Sequence, residues 1–161
     1  MKKFSLAVAA LAALMCMGML VSCNSSPSDN YYTVESGTIT VAGTSGSTSI
    51  SNTTTIKSGF AEVIEYSYAE AQGIDDVSSN YTIVSISLNY IDDDGDSGSA
   101  TLSFYKISGT YYIQDSATDQ FVETDAITVS GSTITISGTV AKYTSDSYNT
   151  TTTASLTLKK M

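Results

Sequence analysis

Tyr81-Thr82-Ile83-Val84-Ser85-Ile86-Ser87-Leu88-Asn89-Tyr90 decides the fold class of this chain. On an extended backbone Val84, Ile86, Leu88 and Tyr90 fall on one side, and Ser85, Ser87 and Asn89 on the other. Alternation over that length is the pattern of a strand with one buried and one wet face, as in antiparallel sheets. The same period of two recurs outward along the chain. Ala100, Leu102 and Phe104 alternate with Ser99, Thr101 and Ser103, and Ile134, Ile136 and Val140 with Thr133, Thr135 and Thr139. Ala154, Leu156 and Leu158 alternate with Ser155, Thr157 and Lys159, and Ile39 and Val41 with Thr38, Thr40 and Ala42. β-Branched Thr suits the solvated side of a pleated surface.

Short turn signals separate these runs: Asp92-Asp93-Asp94-Gly95-Asp96-Ser97-Gly98, Ser108-Gly109 and Ser130-Gly131-Ser132. Such spacings imply hairpins rather than crossovers. The expected fold is therefore all-β, a single antiparallel meander of about eight strands closed as a barrel or stacked as a sandwich. One stretch allows a second reading. Phe60, Val63, Ile64, Ser67, Tyr68 and Ala71 also stand at helical spacing, with Ser58 as an N-cap and Gly73 as a C-cap. A short helix near 59–72 is the expectation there, although Glu62, Ile64, Tyr66 and Tyr68 alternate as a strand would.

Composition narrows the function. The 161 residues carry a formal charge of −9, and all seven basic residues are Lys. There is no His, Arg or Trp. That removes Ser-His-Asp catalysis, imidazole metal cages and guanidinium clamps. So acidic a chain repels nucleic acid. Glu62, Glu65, Glu70 and Glu123 offer carboxylates, but no spacing singles out an acid/base pair. The chain reads as a non-enzyme.

The first residues supply an address. Met1-Lys2-Lys3 is a basic n-region, and Phe4 to Val21 is uncharged and largely apolar. Leu20-Val21-Ser22-Cys23 follows, then the polar Asn24-Ser25-Ser26-Pro27-Ser28, with no basic stop-transfer cluster. Leu20 to Cys23 resembles the lipobox of bacterial lipoproteins. The resemblance implies removal of residues 1–22 as a signal peptide and palmitate-type acylation of Cys23. It also implies attachment of the mature chain to the cell envelope, in the outer membrane rather than the inner because Asn24 is not Asp. Several acyl chains on one residue hold a protein firmly to a bilayer. Residues 23–30 then form the lipidated Cys and a flexible tether, and 31–161 the β domain. Cys16 lies in the removed segment, so the domain has no thiol and must be held by its core alone. No cofactor beyond the covalent lipid is implied, except for calcium as a candidate.

Calcium is suggested by Asp92, Asp94 and Asp96, whose alternate carboxylates could converge in a tight turn. Ser97 and Ser103 stand where an EF-hand has Gly and Glu, so the alternative is a solvated tip that discourages edge pairing. Tyrosine is the more general candidate. Adjacent tyrosines on a strand face opposite sides, so Tyr31-Tyr32 and Tyr111-Tyr112 must each send one ring outward. These four residues are the candidate binding positions, for an envelope or host protein or a glycan. The alternative is that the rings supplement a thin core, since only 28 of the 139 residues from Cys23 onward are Leu, Ile, Val or Phe. The strand count also resembles the lipocalins, which would imply a barrel carrying a small apolar ligand, although the Gly-x-Trp of that family is missing. A structural surface protein without a defined ligand is the third reading.

Overall fold

The structure, a computed structural model, describes residues 30–67 and 81–161. Cys23, the expected signal peptide (residues 1–22) and the expected tether, except Asn30, lie outside them. The described residues form nine strands: β1 (Tyr31–Ser45), β2 (Thr48–Ser67), β3 (Thr82–Asp92), β4 (Ser97–Ile107), β5 (Thr110–Asp115), β6 (Gln120–Glu123), β7 (Ile127–Ser130), β8 (Thr133–Thr144) and β9 (Tyr148–Lys160). One antiparallel sheet contains them all, in the order β6-β5-β4-β3-β2-β1-β9-β8-β7. The meander thus runs from β1 out to β6, and the C-terminal strands return on the other side of β1.

The helix expected near 59–72 is not formed over its described part: residues 59–67 continue β2. Two neighbours decide this. Ala61 pairs with Tyr32 of β1 and Leu88 of β3, so the segment lies between two strands that satisfy its backbone. Burial follows a period of two, with Ala61 and Val63 buried while Phe60 is 49% exposed. A helix would have placed Phe60 and Val63 on one side. Residues 68–72 and Gly73 lie outside the described residues.

Ser108-Gly109 makes the tightest link, joining Ile107 to its partner Thr110. Both central residues have positive φ, 50° and 89°, as a two-residue hairpin matched to strand twist requires. Longer strands bend at irregularities. β2 breaks register with β3 between Ile56 and Ser58, β1 with β9 between Val34 and Gly37, and β8 with β9 between Thr139 and Ala141. Bulges kink a strand and increase its local twist. The sheet accordingly curls until β5 meets β8 through one parallel bridge, Asp115 with Lys142. Ser116 N–H donates to Lys142 O at 3.3 Å, and Thr144 N–H donates to Ser116 Oγ at 2.8 Å. The concave face is filled by Ile56, Val84, Ile86, Leu88, Phe104, Ile136 and Leu158, all essentially without exposure. These come mostly from the alternating positions read in the sequence.

Candidate binding surface

Register shows where the four candidate tyrosines point. Tyr32, opposite the buried Ala61, and Tyr111 pack against the core. Tyr31, opposite Glu62, and Tyr112, opposite Tyr105, belong to the convex face. Each pair is split as the pleat demands. The two outward rings do not meet, because Tyr31 shares a cross-strand row with Glu62, Ser87 and Thr101. Tyr112 belongs to a different row, with Tyr66, Ile83 and Tyr105.

The second row is the centre of an aromatic cluster. Tyr105 lies 4.7 Å from Phe121 and 5.8 Å from Tyr81, centroid to centroid, and Tyr81 lies 5.2 Å from Phe121. Both Tyr81 contacts are edge-on, the arrangement that ring quadrupoles favour. Covered in this way, Tyr105 is buried although it sits on the convex face. Its hydroxyl donates to Gln114 Oε1 at 3.2 Å, and Gln114 Nε2 donates to Asp119 Oδ1 at 2.6 Å. Burial first, then Tyr66 and Asp119, push the Tyr105 phenol above its ordinary value. Phe121, opposite Gln114 on the edge strand β6, remains 37% exposed on this face, whereas its neighbour Val122 pairs with the buried Ile113 and belongs to the other side. The surface therefore has a rigid, hydrogen-bonded base and an accessible apolar rim.

At the other end of the same face lies a shallow hollow of about 440 Å³, lined by Gly59, Phe60, Asn89, Tyr90, Ile91, Ser97, Gly98 and Ser99. Phe60, Asn89 and Ser99 form one cross-strand row, and Ile91 and Ser97 belong to the next. On the concave side Tyr90 pairs with a glycine on either hand, Gly59 of β2 and Gly98 of β4. Burial, then Asp92, raise the Tyr90 phenol above its ordinary value, against a hydrogen bond with Thr54.

The acidic turn next to the hollow is closed by its own groups. Asp96 N–H donates to Asp92 Oδ1 at 2.8 Å, and Asp92 N–H donates to Asp96 O at 3.0 Å. Asp93 N–H donates to Thr55 O at 3.1 Å. One carboxylate thus caps the turn. Among the described residues no three acidic side chains converge as a metal-holding group, so Asp92, Asp94 and Asp96 are not brought together as a ligand set.

Phe121, Tyr81, Phe60 and Ile91 were not singled out as binding residues by sequence. A strict period of two through 60–67 groups Phe60 with Ile64 and Tyr66, opposite Val63, but only the strands on either side decide which group faces outward. Phe121 carries no such signal, because β6 is only four residues long. Comparison with protein families, with curated proteins and with solved structures finds no match.

Proposed function

We propose that this chain is a lipid-anchored protein of the bacterial cell envelope whose β domain is a non-enzymatic binding module. The anchor rests on the lipobox-like Leu20-Val21-Ser22-Cys23. The outward aromatic cluster of Tyr81, Tyr105 and Phe121, with Tyr112 opposite Tyr105 in the same cross-strand row, is the observation that carries the binding role. Exposed rings on a stiff sheet offer large contact area at little cost in side-chain entropy. Their partner is a protein or glycan of the envelope or of a host surface. A surface role is favoured over carriage of an apolar ligand because Phe104, Ile86, Leu88 and Leu158 occupy the interior of the curl. Asn24 favours the outer membrane.

Two measurements test the proposal. Metabolic labelling with radioactive palmitate should mark the wild type and not Cys23→Ala; an unlabelled wild type removes the anchor. The full chain is then screened against envelope glycans and matrix proteins, alongside Tyr112→Ala and Phe121→Ala. Retention that is indifferent to both variants, or absent for the wild type, removes the binding surface.

A further inference from the structure

We infer that the hollow between Phe60 and Ile91 is a subsite for one neutral sugar ring of a glycan. It is separate from the aromatic cluster. Phe60 and Tyr66 are six residues apart on β2, roughly 20 Å at ~3.4 Å per residue, and the inference does not depend on the lipid anchor.

Size contrast produces the hollow. Phe60 and Ile91 are large and 49% and 40% exposed, whereas β4 presents only Ser97, Gly98 and Ser99 beside them. Two rows on three strands span roughly 7 Å by 10 Å, from strand spacings of ~4.8 Å and a two-residue repeat of ~6.8 Å. A single pyranose ring has about that footprint. Its chemistry also matches. One wall is apolar, and the face of an aromatic ring carries negative charge that attracts the polarised C–H bonds of a sugar. Opposite it stand the Asn89 amide and the Ser97 and Ser99 hydroxyls. Among the described residues none of these three side chains hydrogen-bonds another protein group. They are the mixed donors and acceptors that sugar hydroxyls need.

Two competing ligand classes fit less well. No charged side chain lines the hollow, and Asp92, Asp93, Asp94 and Asp96 follow directly after Ile91, so phosphates and uronic acids are repelled. An apolar peptide would match Phe60 and Ile91 but would cover the amide and both hydroxyls without replacing their hydrogen bonds to water, which is unfavourable. A neutral sugar satisfies both halves.

Saturation-transfer NMR on the detergent-solubilised full chain tests this. The probes are maltotetraose, cellotetraose and laminaritetraose, with an oligogalacturonate and a capped Leu-Val-Phe peptide for comparison. Transfer to ring C–H protons of at least one neutral tetrasaccharide is expected. It should fall about fivefold to tenfold in Phe60→Ala, equivalent to loss of one aromatic contact, and be restored in Phe60→Tyr. Val129→Ala, at an exposed position of β7 outside the hollow, should leave it unchanged. Phe60 is half exposed, so its truncation leaves the core intact, and unchanged amide spectra away from the hollow verify this. The inference is overturned by no transfer from any neutral probe, by transfer indifferent to Phe60→Ala, or by a preference for the oligogalacturonate or the peptide.

Discussion

Replacing Gly98 by Ala tests the register of β3 against β4 and the burial of Tyr90 together. Alanine is normally the better strand residue, and relief of glycine's backbone entropy alone would stabilise the domain by about 0.5–1 kcal/mol. Gly98 has no positive φ that would oppose the change. The Tyr90 ring opposes it instead. A Cβ at Gly98 would stand 2.6 Å from Cε2 and Cζ of Tyr90 and 2.7 Å from its hydroxyl oxygen. Carbon atoms prefer about 3.5–4.0 Å, so the ring must move by roughly 1 Å. It is buried within the core cluster, so it cannot swing freely. Overpacking of this kind costs about 1–3 kcal/mol. The two effects have opposite sign, and the clash is the larger. Gly98→Ala should therefore lower stability by about 0.5–2 kcal/mol in equilibrium urea unfolding. In a Tyr90→Leu background the obstructing ring atoms are gone, and the same substitution should become neutral or stabilising. The cycle then yields a coupling of about 1–3 kcal/mol. A stabilising Gly98→Ala in the wild-type background, or an equal cost in both, refutes the reasoning.

Other consequences are simpler. Phe104→Ala empties a fully buried site in a core with few large apolar residues and should cost about 3–5 kcal/mol in the same unfolding measurement; a loss below about 1 kcal/mol would place Phe104 outside the core. Ser116→Ala removes the acceptor of the Thr144 amide at the β5–β8 seam, so hydrogen exchange at Thr144 should quicken about fivefold while Ile86 and Leu158 amides are unaffected. Equal acceleration everywhere would show that the seam does not open separately. Tyr90 and Tyr105 both ionise above the ordinary value of 10.0 in the folded chain. Their stabilising contribution is complete below about pH 10, the unfolded value, and is lost as pH rises through the folded one. Stability should fall above about pH 10, and less steeply in Tyr90→Phe and Tyr105→Phe. An alkaline profile unchanged by either variant contradicts the burial of both hydroxyls.

Much of the fold is legible along the chain. Val84, Ile86, Leu88, Leu102, Phe104, Ile136, Leu156 and Leu158 are read as inward from alternation alone, and all are buried. The reading faltered at 59–67, where Ile64 belongs both to the helical set with Phe60 and Val63 and to the alternating set with Glu62 and Tyr66, and only the strands on either side resolve the ambiguity. The candidate surface was less accessible. Splitting of Tyr31-Tyr32 and Tyr111-Tyr112 follows from the pleat, yet which member turns inward depends on the strand opposite. Phe121 joins Tyr105 only because β6 folds back on β5, with Phe121 opposite Gln114.

Local order in this protein comes from the chain's own pattern. Successive side chains of an extended backbone point to opposite sides, so alternating threonines and aliphatics specify each strand and its wet and dry faces. Neighbours and register are long-range matters, settled when hydrogen bonds, bulges and burial are satisfied together. The pairing of Tyr90 with two glycines, the cluster around Tyr105 and the hollow beside Phe60 each join residues from separate strands. They exist only once the sheet has curled and brought those strands into line.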